Sequence, residues 1–540
     1  MNGMREWAGP YRPAAIALLG ALFLVAIYRA ATQSISHDEA VMYHWFQSAG
    51  SLSQMFDSPL GNHHPLTVLL SRISISLFGL SEFTQRLPSV LGAGLYFYTV
   101  FRICSLLIGP GSLFLLGVAF LSLNPFLLDY LSLSRGYSLG LAFFLYATYQ
   151  LILYLSPDLD SRSPNRILNK AGVAMGLSIG CNVIMIFPAG AAALSFFALL
   201  IAGWLLSAPA PAAEILTAEQ RRKGKKERKR RLRETGTAQA GRSAWQAMIH
   251  MAIPAVLVAG AVLIQPRRLV QLEEGYLGPP SLFGILEGIV RPSLLHSPSG
   301  FKGLAWLAPD LAISAVTYFV VPTLLISLIL TSLTLARRWK LKRNFDALTL
   351  ADRMLLFLGL ALPAALALVV ASRYVFAQPY PELRTVLYWI PLLSLAALAL
   401  VDKLLAAGTT RSRNAAIGSI ALLVLCVLQY VTQFNTRYFA EWAYCASTKD
   451  MMRIIRDQHA AAPPNTRVRV GANWELEPGI NFYRIMWGLD WMDKVYRQSP
   501  DADFDYYLLL RDDILLIEKR HLTPLSKDDL ARTALAKAGR

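Results

Sequence analysis

Charged residues are scarce in this chain. Only 16% of its 540 residues are Asp, Glu, Lys or Arg, against about 25% in an ordinary soluble domain. That deficit excludes a wholly water-soluble protein. Cysteine is scarcer, with four residues, which excludes a disulfide framework. Cys104, Cys181 and Cys426 lie inside apolar runs and read as small packing hydrophobes; only Cys445 lies in a polar stretch. No Walker-type phosphate loop occurs. Alternating barrel-type segments are also missing, which leaves helices to satisfy a backbone in lipid. Two Asp-X-Asp strings are present, Asp158-Leu159-Asp160 and Asp501 to Asp505. Neither has Rossmann-like surroundings, so neither reads as a nucleotide-sugar site.

What the chain has in quantity is long apolar runs. They recur along the first four-fifths, each of roughly 18–22 residues, enough to cross about 30 Å of hydrocarbon as a helix. Spans are expected at 13–31, 87–107, 112–130, 137–155, 171–187, 189–206, 246–264, 313–335, 354–372, 384–401 and 415–433. Residues 13–28 also fit a signal-peptide core, but the flank YRAATQS makes a poor cleavage site, so an uncleaved first span is expected. The fold expectation is an α-helical polytopic membrane domain over 1–433, with about eleven transmembrane helices. A small soluble α/β domain follows at 434–540. There TRVRVGA, FDYYLLL and DILLIEK read as strands, and PGINFYRIMWG as a helix with Pro478 in its first turn.

The net charge of +17 is concentrated in one place. The run from Arg221 to Arg233 holds ten Lys/Arg and one Glu, a charge of +9. Such a run can bind nucleic acid; the reading preferred here is a cytoplasmic loop at 207–245 touching anionic lipid, with no nucleic-acid partner. Basic residues also crowd 156–170, 336–353 and 402–414. The positive-inside rule places all four connections in the cytoplasm. The outside then receives the first loop (about 32–86), the turn near Arg135, the loop at 265–312, the turn at 373–383 and the tail. The expected setting is a multi-pass protein of the cell membrane, a bacterial inner membrane, with a cytoplasmic N-terminus and an extracytoplasmic tail.

The first outer loop carries four of the eight histidines, His37, His44, His63 and His64, and amphipathic stretches near 39–48 and 65–79. It also carries Asp38 and Glu39, just past the first span. Ser36-His37-Asp38-Glu39 fits a capping box, which accounts for Glu39 as a helix cap. Adjacent residues on a helix point apart, so the two acids divide their work, with Asp38 the candidate for chemistry. The histidines match no tight metal-ligand spacing. No metal site is assigned from them, and a divalent cation stays open.

These features resemble the GT-C membrane glycosyltransferases, above all glycosyltransferase family 39, the protein O-mannosyltransferase and aminoarabinose-transferase group. Asp38-Glu39 is similar to that group's Asp-Glu pair, and Asn62-His63-His64-Pro65-Leu66 to its His-Pro-Pro-Leu stretch, with His64 replacing the first proline. Arg86-Leu87-Pro88 resembles its Arg-X-Pro, and Ser134-Arg135-Gly136-Tyr137 its Arg-X-Tyr. The likeness covers about 13–205. It implies inverting sugar transfer from a polyprenyl-phosphate donor, on the outer face, to an unknown glycan, lipid or protein acceptor. Asp38 is then the general base, with Glu39 beside it. The departing lipid phosphate needs a cation more than an acid. Arg384, opening the tenth span, is the first candidate, then Arg86 and Arg135. Arg267, Arg268, Arg291 and Lys302 are unranked. His63, His64, Tyr137 and Trp474 are the candidate substrate contacts. The rival reading is a lipid or polysaccharide transporter or flippase, which calls for ionisable residues near mid-membrane; the expected spans hold almost none.

Overall fold

The computed structural model describes residues 9–48, 64–109, 111–156, 164–207, 244–263, 281–297, 308–342, 347–463, 466–497 and 499–539, with 279, 303 and 345. His63, Arg267, Arg268, Lys302, the Arg221–Arg233 run and Asp158 to Asp160 lie outside these residues.

The membrane part begins with α1 (Arg12–Thr32), the short α2 (His37–Met42) and α3 (Pro65–Phe78). Next come α4 (Glu82–Leu107), α5 (Ser112–Ser122), α6 (Pro125–Ser132), α7 (Tyr137–Leu155), α8 (Pro164–Cys181), α9 (Ile186–Ser207) and α10 (Ala244–Leu263). The amphipathic α11 (Leu282–Leu294) leads to α12 (Pro309–Leu341), α13 (Leu350–Phe376), α14 (Trp389–Ala406) and α15 (Thr410–Thr432). Among the described residues nine helices are long and apolar enough to cross a membrane, or ten if α5 and α6 form one span bent by 60°. Asn124 and Pro125 make that bend. The Asn124 side chain accepts the Leu127 N–H, and proline suits the first turn of the new helix.

The span expected at 171–187 is divided differently. α8 starts earlier and carries Asn165, Arg166, Asn169 and Lys170 in its first two turns, so it is too polar to count by composition. It stops at Asn182, whose side chain caps a 3-10 turn at Val183–Met185 leading into α9. α8 nonetheless runs parallel to α10 in close contact. A Cβ on Gly172 would stand 2.2 Å from the Met251 carbonyl oxygen, one on Gly176 2.7 Å from that of Ala255, and one on Gly180 3.2 Å from Val262. This glycine stripe is what lets the two backbones meet. With α8 included and α5 and α6 taken as one bent span, eleven rods make the bundle among the described residues, in line with the sequence.

The two ends of the bundle differ. At one end Arg353 donates to the Leu155 carbonyl at 2.8 Å, and Lys403 pairs with Asp352 at 2.6 Å. These contacts bring together the C-terminus of α7, the N-terminus of α13 and the C-terminus of α14. The other end collects the C-terminus of α1, the N-termini of α4 and α7, and the tail.

The tail contains α16 (Thr448–His459), β1 (Val470–Ala472), α17 (Glu477–Met486), β2 (Tyr506–Leu510), β3 (Thr523–Asp528) and β4 (Thr533–Lys537). The sheet order is β1-β2-β4-β3, with β1 parallel to β2 and the other pairs antiparallel. Two expected strands and the helix at Pro478 are present. DILLIEK is not a strand. Arg511 has φ +52°, which turns the chain out of β2 into a 3-10 turn at Arg511–Leu515 and a helical turn at Leu516–Lys519. The sheet closes instead with β4, whose fully buried Leu535 and small alanines give a weak apolar signal. Cys445, expected in a polar region, is buried. Ile35, Ala40 and Tyr43 share one core with the tail's Ile455, Val470, Ile480, Phe482 and Leu508. The described start of the first outer loop and the tail therefore share one core.

Candidate active site

The capping box read from the sequence is present. The Ser36 hydroxyl accepts the Glu39 N–H, and the Glu39 carboxylate accepts the Ser36 N–H at 3.1 Å. Glu39 is wholly buried and does more than cap. Arg86 donates Nε to Oε1 at 2.9 Å and Nη2 to Oε2 at 2.7 Å, and Ser134 N–H adds 2.8 Å to Oε1. Burial favours the neutral acid, but the Arg86 charge, its hydrogen bonds and the backbone donors outweigh burial and hold Glu39 below the usual carboxylate value. Arg86 spends its remaining donors on the carbonyls of Ala30, Gln33 and Ser34. A guanidinium this enclosed has nothing left for a ligand. Arg86 ties α4 to the end of α1, and Glu39 is the counterion of that tie.

Asp38 points elsewhere. Its Oδ2 lies 3.0 Å from Arg135 and 3.3 Å from Arg384, and the Trp442 side chain hydrogen-bonds to it. These side chains are open where the Glu39–Arg86 pair is closed: 21% of Asp38, 18% of Arg135 and 28% of Arg384 is accessible, against 0% for both partners of the other pair. Burial pushes the Asp38 carboxyl up, yet Arg135, Arg384, His37 and the Trp442 bond together hold it below the usual value.

Each arginine reaches Asp38 by a local device. Arg135 precedes Gly136, which has φ +75°; a Cβ there would sit 2.3 Å from the Cys181 carbonyl oxygen, so the turn into α7 requires glycine. Arg384 rides a 3-10 turn at Leu383–Val386, ahead of α14 rather than within it. It also pairs with Glu441 and lies 5.4 Å over the Trp442 ring, while the Tyr130 hydroxyl donates to Glu441. Glu441 and Trp442 were not singled out in the sequence. They follow the last span with no motif around them.

A second, closed hub adjoins. Asp129 pairs with Arg29, sits 2.9 Å from His296 and accepts the Ala440 N–H at 2.7 Å. It fixes the linker that carries Glu441 and Trp442.

The remaining candidates scatter around this centre. His64 is buried, its ring 5.7 Å from that of Tyr137. Tyr137 is buried too and contacts the Tyr130 ring at 5.1 Å. His37 and His44 each meet a tail carbonyl, of Glu475 at 2.7 Å and Pro478 at 3.0 Å, and so act as tethers. Trp474 is 53% exposed and meets the His37 ring edge-on at 5.6 Å. Arg291 is engaged with Glu287 and Asp310. Among the described residues no three His, Cys, Asp or Glu side chains converge as a metal cage.

A cavity of about 780 Å³ lies between α11, α12, α14 and α15. Its lining is mostly apolar and extends from Tyr430 to Ala415 along α15, about 22 Å at 1.5 Å per residue. Its polar end holds Asn124 and Ser293, hydrogen-bonded at 2.9 Å. Asn124 is the cap of α6, the helix that carries Tyr130 to Glu441.

No family model matches the chain, and neither does any curated protein sequence. Solved structures with a similar arrangement include ArnT from Cupriavidus metallidurans in the apo state, at 11% identity and TM-score 0.42, covering 97% of this chain and 99% of that one. The same protein bound to undecaprenyl phosphate gives 12% identity and TM-score 0.40, over 98% of this chain and 100% of that one. The archaeal oligosaccharyltransferase AglB from Archaeoglobus fulgidus, in complex with an inhibitory peptide and a dolichol-phosphate, gives 12% identity and TM-score 0.39, over 88% of this chain and 64% of that one.

Proposed function

We propose that this chain is a membrane glycosyltransferase that moves a sugar from a polyprenyl-phosphate donor to an acceptor hydroxyl at the extracytoplasmic face. The observation that carries this reading is an accessible carboxylate, Asp38, set between two guanidiniums at one end of a helical bundle. A long apolar cavity beside that end suits an isoprenoid tail. A lipid-linked donor keeps its tail in the bilayer and presents its head at the surface, so no nucleotide site is needed. The described residues that flank basic connections, Leu155, Arg353 and Lys403, lie at the opposite end of the bundle, which supports an extracytoplasmic site and a cytoplasmic N-terminus.

The chemistry follows from the charges. Arg384 and Arg135 are the donor-phosphate ligands, and a phosphate entering between them competes with Asp38 for both guanidiniums. As the arginines turn to the phosphate, Asp38 loses its cationic partners and becomes a stronger base. The acceptor oxygen attacks the anomeric carbon, its proton passes to Asp38, and the bond from that carbon to the phosphate oxygen breaks. The phosphate leaves as an anion held by the arginines, so no general acid is required. A single displacement inverts the anomeric centre. Trp474, His64 and Tyr137 stand near enough to border the substrates, with Trp474 the exposed one.

The test uses the full chain in proteoliposomes with a labelled polyprenyl-phosphate sugar and separate glycan, lipid and peptide acceptors. Label on one acceptor class with inverted configuration is expected. Donor that is bound but never transferred, or lipid that changes leaflet without transfer, would overturn the reading in favour of a transporter.

A further inference from the structure

The tail domain touches the base segment beside Arg86. Tyr483 on α17 is wholly buried, and its hydroxyl is the meeting point of three elements. It accepts the Ile35 N–H at 2.8 Å, lies 3.2 Å from the Ser34 hydroxyl, and donates to Glu82 Oε1 at 3.0 Å. Glu82, in the first turn of α4, is also paired with Lys449 of α16 at 2.7 Å. Burial pushes the Tyr483 phenol well above its usual value, so it stays a neutral hydroxyl able to give one proton and accept another. Ser34 and Ile35 lie on the stretch joining α1 to α2, four and three residues ahead of Asp38. One turn along α4 from Glu82, Arg86 grips the carbonyls of Ala30, Gln33 and Ser34. The stretch is held by a transmembrane arginine and a tail-domain tyrosine, and its backbone has little freedom left.

We infer that Tyr483 is a positioning residue for Asp38, which makes the C-terminal domain a working part of the transfer site. The inference rests on the assignment of Asp38 as the base. Tyr483 touches no reacting atom; it sets the height and rotation of the α2 N-terminus, and so the reach of the Asp38 carboxylate between Arg135 and Arg384. Lys449 holds the Glu82 carboxylate in place as the acceptor for the phenol. A displacement of about 1 Å at a catalytic group costs on the order of 100-fold in rate.

The experiment compares the full-length protein with Tyr483→Phe, which keeps the ring and removes the hydroxyl, and with Glu82→Gln, which loosens the same hub from the membrane side. Two readouts are taken in nanodiscs. Hydrogen exchange followed by mass spectrometry reads residues 33–40 without any need for activity. Transfer of labelled polyprenyl-phosphate sugar gives kcat and donor KM. The expected result is faster exchange in 33–40, unchanged exchange in α13, a kcat lower by about 10- to 100-fold and a donor KM within about twofold. Unchanged exchange overturns the inference, and so does faster exchange with a wild-type kcat. Asp38→Asn, run in parallel, separates the two levels. If it keeps full activity, the base assignment fails whatever Tyr483 does. If it is inactive while Tyr483→Phe turns over normally, only the positioning inference fails.

Discussion

Asp38 and Glu39 are neighbours in the chain, yet their carboxylates serve different arginines in different surroundings. Glu39 is sealed against Arg86, while Asp38 lies accessible between Arg135 and Arg384. On a helix, consecutive side chains diverge by about 100°, so one acid can staple the framework while the other faces an opening. The predictions below separate those two jobs.

Breaking the staple should cost stability. Glu39→Gln leaves Arg86 as a buried cation without a charged partner, and loss of one member of such a pair costs about 3–5 kcal/mol. Thermal unfolding in detergent should show a large fall in Tm. Asp38→Asn, at a partly open site where the ion pairs are weaker, should lower Tm much less. Equal losses for the two variants would contradict the division of labour.

Removing a phosphate ligand should act on the reaction. Arg384→Met should lower transfer by about 100- to 1000-fold, the range seen when one transition-state donor is lost. Arg384→Lys should recover only part, because an ammonium cannot hold two oxygens as a planar fork does. Full recovery by lysine, measured as kcat/KM for the labelled donor, would count against a bidentate contact.

The acid limb of activity should move in a known direction. Asp38 is held below the usual aspartate value because its cations and the Trp442 bond outweigh burial. Its ionised form therefore contributes stability that is present above the unfolded-state pKa of about 3.9 and is lost as pH falls through the depressed folded value. At neutral pH that contribution is complete. Arg384→Met removes one of the cations and should shift the acid limb of kcat/KM to higher pH. A limb that stays put or moves lower would show that Asp38 is not the titrating group.

The turn before α7 should tolerate no side chain. Gly136→Ala places a Cβ against the Cys181 carbonyl in a left-handed backbone, at a cost of about 1–2 kcal/mol from conformation alone. Tm should fall, and activity per folded molecule should fall as well, since Arg135 is the preceding residue. A variant as stable and active as the parent would contradict the turn geometry.

The sequence was most informative where one residue type acts alone. Apolar runs placed the helices, Ser36 and Glu39 announced a cap, and an arginine after a proline-rich turn marked Arg384. It was least informative where distant residues act in pairs. Asp129 meets Arg29 across 100 residues and His296 across 167, and nothing local marks any of the three. Glu441 and Trp442 join the site only because the linker after α15 folds back over the bundle. Arg86 shows the same limit: its place at the mouth of a span was legible, but not the five oxygens of four distant residues that take its donors. The span expected at 171–187 begins earlier, as α8, whose place beside α10 is fixed by a glycine stripe and not by apolar content.

One substitution reaches the centre of the account. Purified Asp38→Asn, folded and still binding donor, should transfer sugar more slowly than the parent by about 10²- to 10⁴-fold, the range a general base supplies. If that protein turns over labelled donor at the parental rate, the proton goes somewhere else and the assignment of Asp38 is wrong.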